Sequence, residues 1–483
     1  MNAHWTSRWP RNPTRRELLR GAGAGFGALA LAGLLGEEAR AAEPPAETGD
    51  GPDPARPLAP RPPRFPARAK RVIFLFMHGG PSQVDTFDHK PLLTRDHGKP
   101  LPFAKPRVVS SQTGNLLATP WKFSRHGQSG LWVSEVFPEL SRMVDDLCVL
   151  NGMHGSNSRH GGALLELHTG SDTFVRPSMG SWVVYGLGTE NQNLPGYVTI
   201  CPNASHGGVN NFGSAFLPAV YQGNAIGMTG VPIEEARFPF IENTTTPRDL
   251  QRLQIDLVQE MNRDHLDRAV ADQALEGRIA ALELAFRMQA EAPEVQDLSG
   301  ESAATRRLYG LDDPVTRPFG TQCLLARRFA ERGVRFVQAS HSYKWDQHGG
   351  LRKDLARNAR EVDRPIAGLL TDLKARGLLE DTLVLWGGEF GRTPTSQGDD
   401  GRDHNPQGYS MWLAGGGVKG GHRHGATDDY GYYAVEGKVH VHDLHATILH
   451  LLGLDHTQLT YRHAGRDFRL TDVHGEVAHE ILA

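Results

Sequence analysis

The stretch that most constrains the fold of this chain runs from Val384 to Pro394. Its short apolar run, residues 384–386, ends at two glycines that are followed at once by Glu389. Apolar runs that stop in this way are typical of buried parallel strands, whose carboxyl ends form the ligand-binding edge of open α/β sheets. His404 follows in the next loop. A carboxylate and an imidazole at one sheet edge predict a metal or acid–base site.

Two further strand-like runs end in the same way. Residues 72–77 are continuously apolar and end at His78, and residues 334–339 lead into a loop that holds Asp346 and His348. Because the carboxyl ends of parallel strands share one edge, we expect these side chains to lie close to Glu389 and His404. Imidazole and carboxylate groups suit zinc, manganese or iron.

The alternation of strands and helices predicts an α/β fold with a mostly parallel, doubly wound sheet. A section rich in glycine and asparagine, up to about residue 243, predicts loops. Further strands are predicted near residues 149–150, 195–201, 383–386, 409–413 and 439–441. Helices are predicted near residues 163–168, 249–290, 319–332, 351–376 and 443–452.

The N-terminus carries the features of an export signal. Arg15 and Arg16 precede an apolar run from Gly21 to Gly36, which is shorter than the roughly 20 residues of a membrane span. Residues 1–41 are therefore predicted to be a twin-arginine signal peptide, with export to the periplasm or beyond. No stable membrane span is expected after cleavage.

Residues 42–70 are rich in proline, alanine and arginine and predict a disordered linker. The folded domain is then expected over residues 71–483, with a helical insertion at about 249–290.

Composition excludes several classes of function. The formal charge of -3, from 52 basic and 55 acidic residues, gives no electrostatic basis for binding nucleic acid or an anionic membrane. The chain lacks a dinucleotide-binding glycine fingerprint and a haem-attachment motif, which disfavours a redox role. Its three cysteines are widely spaced and are expected to be small buried apolar residues.

The loop after the second predicted strand combines hydroxyl, basic and imidazole side chains. Ser156, Ser158, Arg159 and His160 precede a predicted helix, an arrangement that offers amides and positive charge to an anion. The alternative is that one of the two serines simply caps the helix.

Six ordered motifs resemble the DUF1501 family, whose members are exported, twin-arginine-tagged bacterial proteins related to the alkaline phosphatase and sulfatase superfamily. The resemblance covers nearly the whole chain from Arg71 onward. The motifs span His78–Asp88, Arg176–Trp182, Gly333–Val337, Trp345–His348, Gly388–Pro394 and Gly401–His404.

The resemblance implies a three-layer α/β/α sandwich and a site for divalent metal, which is zinc, manganese or calcium in the superfamily. Asp85 is included as a further carboxylate, and either Asp85 or Asp88 could instead cap the nearby helix. By position, the implied ligands are His78, Asp85, Asp346, His348, Glu389 and His404.

The resemblance also suggests catalytic residues. The sequence Leu167–Gly170 resembles the end of a sulfatase motif, and counting back from it reaches His160. Ser156 and Ser158 lie in the same loop and are the candidate nucleophiles, with Ser82 as a further candidate, and Arg159 is the group that would hold an anionic substrate. His160 could instead be a ligand or an acid–base group acting with metal-activated water.

The expected function is an exported, metal-dependent hydrolase of phosphate or sulfate esters, acting on an anionic small molecule or glycan. The alternative is a catalytically silent exported protein that binds an anionic glycan or another cell-envelope ligand on the same scaffold. The sequence carries no signal for the oligomeric state.

Overall fold

The computed structural model describes residues 52, 53, 56–104, 114–266 and 273–483. The predicted signal peptide, residues 1–41, and the first part of the predicted linker lie outside the described residues.

A mixed, mostly parallel sheet forms the centre of the fold. In the described part of the chain its strands follow the order β12-β4-β11-β8-β1-β7-β5-β6, with β15 also paired to β4. Only β11 runs antiparallel to its neighbours, β4 and β8. The sheet strands are β1 (Arg71–Met77), β4 (Leu147–His154), β5 (Tyr197–Ile200), β6 (Asn224–Ile226), β7 (Phe336–His341), β8 (Thr382–Gly387), β11 (Tyr409–Ala414), β12 (His422–His424) and β15 (Val439–His440).

Four two-stranded hairpins lie outside the central sheet in the same described ranges. They pair β2 (Phe123–His126) with β3 (Leu131–Ser134), β9 (Gly391–Ser396) with β10 (Arg402–Asn405), β13 (Ala426–Thr427) with β14 (Ala434–Glu436), and β16 (Tyr461–His463) with β17 (Arg466–Phe468).

The helices are α1 (Gln83–Thr86), α2 (Pro91–Arg95), α3 (His160–Thr169), α4 (Met179–Leu187), α5 (Arg248–Leu266), α6 (Gln273–Gln296), α7 (Ala303–Leu308), α8 (Arg317–Glu331), α9 (Leu351–Ala375) and α10 (Val441–Leu451). Short 3-10 helices cover Leu140–Asp146, Gly208–Asn211, Ala219–Tyr221, Leu379–Asp381 and His479–Ile481.

The strand β1 lies between β7 and β8, and all seven of its residues are buried. Such continuous burial explains why its sequence is apolar from Val72 onward rather than alternating. Phe74 and Phe76 contact the ring of His168 on α3, on one face of the sheet. Trp386 pairs in register with Leu75 and contacts Phe137 on the opposite face. Both faces are therefore covered, and the predicted α/β fold is confirmed.

The sheet is less uniform than predicted. The predicted strand near residues 409–413 exists but runs antiparallel as β11, because the hairpin β9–β10 that follows β8 returns the chain beside it. The section predicted as loops contains the short edge strand β6. Residues 149–150 belong to the longer β4.

Residues 56–70, predicted as part of a disordered linker, are instead packed against the domain. Leu58 is 3% exposed, and the backbone N–H groups of Arg61 and Arg68 donate to the carbonyls of Leu187 and Leu451 at 2.9 and 2.8 Å. Leu187 and Leu451 are the last residues of α4 and α10. Helix C-termini leave carbonyls without intrahelical partners, so an extended segment gains hydrogen bonds there.

The three cysteines are free and buried, as predicted. None of the helices in the described ranges is both long enough and apolar enough to span a membrane.

Candidate metal centre

Four strands deliver polar side chains to one edge of the sheet. His78 follows β1, Asp346 and His348 follow β7, and Glu389 follows β8. His160, the first residue of α3, lies beyond the end of β4. Because β1, β7 and β8 are parallel, these carboxyl ends lie together, as the strand pattern predicted.

The carboxylate of Asp346 is the centre of the cluster. Its Oδ1 atom lies 3.0 Å from Nε2 of His348 and 3.1 Å from Nε2 of His404. Its Oδ2 atom lies 3.3 Å from Nε2 of His160 and accepts a hydrogen bond of 3.0 Å from the Tyr343 hydroxyl. Burial opposes ionisation of Asp346, but contacts with the three histidines outweigh it and hold its pKa well below the ordinary value.

All three histidines present Nε2 to Asp346 and use Nδ1 to contact an oxygen acceptor. The Nδ1 atom of His404 lies 2.7 Å from the carbonyl oxygen of Ser158, and that of His160 lies 2.7 Å from a carboxylate oxygen of Glu389. The Nδ1 atom of His348 contacts Oε1 of Gln397. Carbonyl and carboxylate oxygens only accept, so Nδ1 is the donor in each of these contacts. Metal-ligating histidines are oriented in this way in proteins.

Glu389 and His160 form a buried pair within the cluster. The Glu389 side chain is completely buried, and its carboxylate also accepts the backbone N–H of Gly79 at 3.0 Å. Burial alone would raise the pKa of Glu389, yet the hydrogen bond from His160 lowers it to about 2. Burial alone would lower the pKa of His160, but Asp346 and Glu389 raise it to about 9. Without a cation, His160 is therefore an imidazolium between two carboxylates.

Two groups of side chains can each hold a metal ion, with one ligand atom from each member lying within 4.8 Å of the others. His160, Asp346, His348 and His404 form one group, and His78, His160 and Glu389 form the other. His160 belongs to both. The Nε2 atom of His160 has no aligned hydrogen-bond partner among the described residues, and neither has Nε2 of His78.

Over this same sheet and cluster, a family model described as "Protein of unknown function (DUF1501)" matches residues 69–482. The chain belongs to the DUF1501 family.

No curated protein matches this DUF1501 chain. Among solved structures it is similar to the lipoteichoic acid synthase LtaP from Listeria monocytogenes, at 11% identity and a TM-score of 0.35, over 86% of this chain and 78% of that one. The sulfatase PsFucS1 from Pseudoalteromonas sp. is similar at 12% identity and a TM-score of 0.34, over 81% and 68% of the two chains. The alkaline phosphatase from the Antarctic bacterium TAB5 is similar at 9% identity and a TM-score of 0.31, over 80% and 98%.

Five of the six ligands predicted from the sequence of this DUF1501 protein fall in the two groups, and Asp85 does not. The carboxylate of Asp85 accepts hydrogen bonds from Arg402 at 2.7 and 3.2 Å and from the Ser82 hydroxyl at 2.6 Å. Both ionic side chains are fully buried. Asp85 lies on α1, which directs it toward the β9–β10 hairpin. Its prediction as a ligand is therefore wrong, and Asp88 likewise pairs with Lys90 at 3.1 Å.

The predicted catalytic loop contributes differently from expectation. His160 is central, but Ser158 contacts the cluster through its carbonyl oxygen, and Arg159 is exposed. The alternative that a serine caps the helix is also wrong, because Arg159 occupies the N-cap position of α3 without a side-chain hydrogen bond. The assignment of Ser158 and Arg159 to catalysis stays a prediction.

Sequence reasoning gave no role to Arg392, which is fully buried beside the cluster. Its guanidinium donates to Oδ1 of Asp346 at 2.6 Å and to the carbonyls of Gly80 and Arg402 at 3.0 and 3.2 Å. Arg392 thus fixes the central carboxylate and ties the loops after β1 and β7 to the β9–β10 hairpin. The signal for it was its place in the Gly388–Pro394 motif of the DUF1501 family.

Sequence reasoning also missed His206 and Tyr343, which lie at the rim. The ring of His206 stacks on His160 with centroids 5.1 Å apart, and the ring of Tyr343 lies 4.8 Å from His78. Both residues have positive φ, 52° and 35°. Non-glycine residues in this region are uncommon and cluster at functional sites. Burial raises the pKa of Tyr343 to about 12, with Asp346 adding to the shift.

Two histidines of α10 serve the helix packing. Nε2 of His442 lies 2.9 Å from the carbonyl oxygen of Gly170, and Nε2 of His445 lies 2.8 Å from that of Leu167. Asp443 accepts the N–H of His440 at 2.8 Å and so helps to cap the helix.

Proposed function

We propose that this protein is a metal-dependent hydrolase of phosphate or sulfate esters whose divalent cation is held by His160, Asp346, His348 and His404. The observation that carries the proposal is the shared orientation of the three imidazoles. Each Nδ1–H is held by an oxygen acceptor while each Nε2 is directed at the same carboxylate. In metal sites, ligating histidines are held in this way by hydrogen bonds from the ring nitrogen that does not bind the metal.

His404 gives the sharpest support for a cation. Its Nδ1 donates to a carbonyl, so the neutral ring has a bare Nε2, and burial lowers the pKa of this residue. That bare nitrogen faces Oδ1 of Asp346 at 3.1 Å. Two acceptors at this distance repel each other unless a proton or a cation lies between them. Ligands bound to one metal at about 2.1 Å are separated by roughly 3 to 3.5 Å, which agrees with the spacing here.

The donor set also favours certain metals. Three imidazole nitrogens and one carboxylate suit zinc, manganese or iron, whereas calcium prefers oxygen ligands throughout. Among the alternatives from the sequence, zinc and manganese therefore fit better than calcium. A bound cation of this kind lowers the pKa of water toward neutrality and polarises an ester oxygen. Glu389 and Arg392 would hold His160 and Asp346 in place for this chemistry.

The ester class rests on the resemblance of the sequence to the alkaline phosphatase and sulfatase superfamily. Among the residues that the structure describes, Tyr343 is the only hydroxyl-bearing side chain hydrogen-bonded to the four proposed ligands. Because its hydroxyl donates to Asp346, it is engaged as a donor and is not free to attack an ester. Direct attack by water therefore fits this site better than a covalent serine intermediate.

The lack of a free hydroxyl nucleophile at the four proposed ligands, among the described residues, also favours a second candidate function. A protein that retains the scaffold and the cation but lacks a nucleophile would bind an anionic glycan or another cell-envelope ligand without turnover. The two candidates predict the same metal and differ in catalysis.

Export is part of the proposal and rests on the sequence alone. Replacement of Arg15 and Arg16 by lysine is expected to retain the protein in the cytoplasm, as followed by cell fractionation. Unchanged export of the double variant would contradict a twin-arginine route.

The test of function begins with metal content. The purified protein is expected to contain about one equivalent of a transition metal, and chelation is expected to lower its melting temperature. His404→Gln should lose the metal, while His97→Ala, an exposed histidine elsewhere, should retain it. A panel of aryl phosphate and sulfate esters then separates the candidates. Turnover that His404→Gln abolishes supports the hydrolase, and metal without turnover supports the binding protein. A protein with neither metal nor any response to chelation contradicts both.

A further inference from the structure

His78 is held in one tautomer by Asn203. The Oδ1 atom of Asn203 accepts the backbone N–H of Ser205 at 2.8 Å and the Ser205 hydroxyl at 2.9 Å, which fixes the orientation of the amide. The Nδ2 atom of Asn203 therefore faces Nδ1 of His78, at 3.1 Å. An amide nitrogen can only donate, so Nδ1 of His78 is the acceptor and the proton of the ring lies on Nε2.

The Nε2–H group of His78 is a donor without an acceptor. His78 is 2% exposed, and its Nε2 atom has no hydrogen-bond partner in the described residues. The imidazole packs on Phe76 with ring centroids 5.6 Å apart, so it cannot turn freely to solvent. Buried donors in native proteins are nearly always paired, and an orphaned one calls for a ligand or another explanation.

The orphaned donor lies within the candidate centre. One ligand atom of His78 is within 4.8 Å of those of His160 and Glu389, and its ring is 6.3 Å from the ring of His160. The partly exposed ring of Tyr343 lies beside it on the outer side. A ligand bound at the cation would therefore come within reach of this N–H group.

A role as metal ligand conflicts with this arrangement. A ligating imidazole nitrogen must be unprotonated. In His78 the unprotonated nitrogen is already occupied by Asn203, and the nitrogen that is left carries the proton. The three histidines around Asp346 show the opposite pattern, because each of them directs Nδ1 at an oxygen acceptor and leaves Nε2 facing the proposed cation site.

We propose that His78 is not a ligand of the cation but a catalytic residue that donates its Nε2–H to an anionic oxygen of the bound substrate. This inference rests on the proposed metal-dependent hydrolase. It names the substrate as a tetrahedral oxyanion ester with at least one oxygen directed away from the cation toward β1. His78 then stabilises the negative charge that remains on that oxygen, and Asn203 is the residue that positions it.

The first test compares two variants with inorganic phosphate and zinc as the probes. His78→Leu removes the donor, and His78→Gln retains an amide N–H near the position of Nε2. By calorimetry on the zinc-loaded protein, His78→Leu is expected to weaken phosphate binding on the order of tenfold to a hundredfold, as for a lost hydrogen bond to a charged group. His78→Gln should recover part of that loss. Both variants should bind zinc within about twofold of the wild type.

A loss of zinc affinity of about tenfold or more in either variant, with His404→Gln as the positive control, would overturn the inference in favour of a ligand role. Unchanged phosphate affinity in His78→Leu would overturn it as well. Absence of zinc binding in the wild type is a different result, because it contradicts the proposed function itself.

The second test uses the wild-type protein, so its result does not depend on whether a variant folds. In protein labelled with ¹⁵N-histidine, the imidazole resonances report which nitrogen of His78 is protonated. The proton is expected on Nε2 both in the metal-free and in the zinc-loaded protein. Disappearance of the Nε2 proton on addition of zinc would show ligation and overturn the inference.

Discussion

The carboxylate of Glu389 accepts a hydrogen bond of 2.7 Å from Nδ1 of His160, and both side chains are buried at the inner wall of the candidate centre. The opposite nitrogen of His160 faces Asp346, at 3.3 Å from Oδ2. His160 therefore lies between two carboxylates, one in contact with the proposed cation and one behind it. A carboxylate behind a ligating histidine fixes the ring and raises its basicity.

Glu389→Gln is expected to weaken metal binding by about tenfold to a hundredfold, because the neutral amide supports His160 less well than the carboxylate does. Competition with a zinc-binding chelator measures this loss. Glu166→Gln is a matched control, since Glu166 is also a buried carboxylate that accepts a backbone N–H, that of Ser156 at 2.9 Å, outside both metal groups. Equal metal affinities for the two variants would contradict the role given to Glu389.

The stability of the metal-free protein is expected to fall as the pH rises from about 6.5 to about 9. The pKa of His160 is raised from 6.5 to about 9 in the folded state, so its stabilising contribution is complete below the unfolded value and is lost as the pH passes the folded one. The contribution is at most about 3 kcal/mol. Urea unfolding in chelator at pH 6 and at pH 9.5 measures it.

Two comparisons make that measurement specific to His160. His160→Gln should remove most of the difference between the two pH values. In the presence of zinc the dependence should reverse, because ligation requires a deprotonated ring and the apparent metal affinity then rises with pH. A wild-type protein whose metal-free stability is the same at both pH values would show that His160 is not charged at neutral pH.

The strand ends were predictable from the sequence because burial on both faces of a parallel sheet leaves a continuous apolar run, as in β1. The gathering of His78, Asp346 and Glu389 followed from that pattern, since the ends of neighbouring parallel strands share an edge. The reversal at β11 was not predictable. Its direction depends on the β9–β10 hairpin, whose sequence gives no alternating pattern.

The sequence predictions that failed concern which groups each residue contacts in the fold, not which types of residue lie near the site. Asp85 and Asp346 are both aspartates that follow a strand, and only the position of Arg402 shows that Asp85 is neutralised elsewhere. Ser158 acts through its carbonyl oxygen, for which side-chain identity carries no signal. Arg392 was within a recognised motif, but its contacts join loops that lie far apart in the chain.

Asp85→Ala is expected to destabilise the fold by about 3–5 kcal/mol without removing the metal, because it leaves the guanidinium of Arg402 buried without its counter-ion. Chemical denaturation gives the free energy of unfolding, and elemental analysis gives the metal content. The contrasting variant is Asp346→Asn, which should lose the metal. If Asp85→Ala lost the metal while remaining folded, Asp85 would be a ligand after all.

The close approach of the β1 and β7 loops depends on the absence of a side chain at Gly79. This glycine has φ +119°, and a Cβ atom there would lie 2.6 Å from the backbone nitrogen of Asp346 and 2.8 Å from the carbonyl carbon of Trp345. Backbone atoms cannot yield as a flexible side chain can. Gly79→Ala must therefore push the loop that carries Asp346 away from the His78 loop, and with it the central carboxylate of the candidate site.

Gly98 provides the matched control for Gly79. It also has a positive φ, +82°, but a Cβ atom there meets nothing within 4 Å, so Gly98→Ala carries the backbone strain without the clash. Gly98→Ala is expected to lose about 1–2 kcal/mol of unfolding free energy and to keep its metal affinity. Gly79→Ala is expected to lose more stability than that and at least tenfold in metal affinity, because Asp346 moves relative to His348 and His404. If the two variants bound zinc equally well, the contact between these loops would not set the geometry of the metal centre.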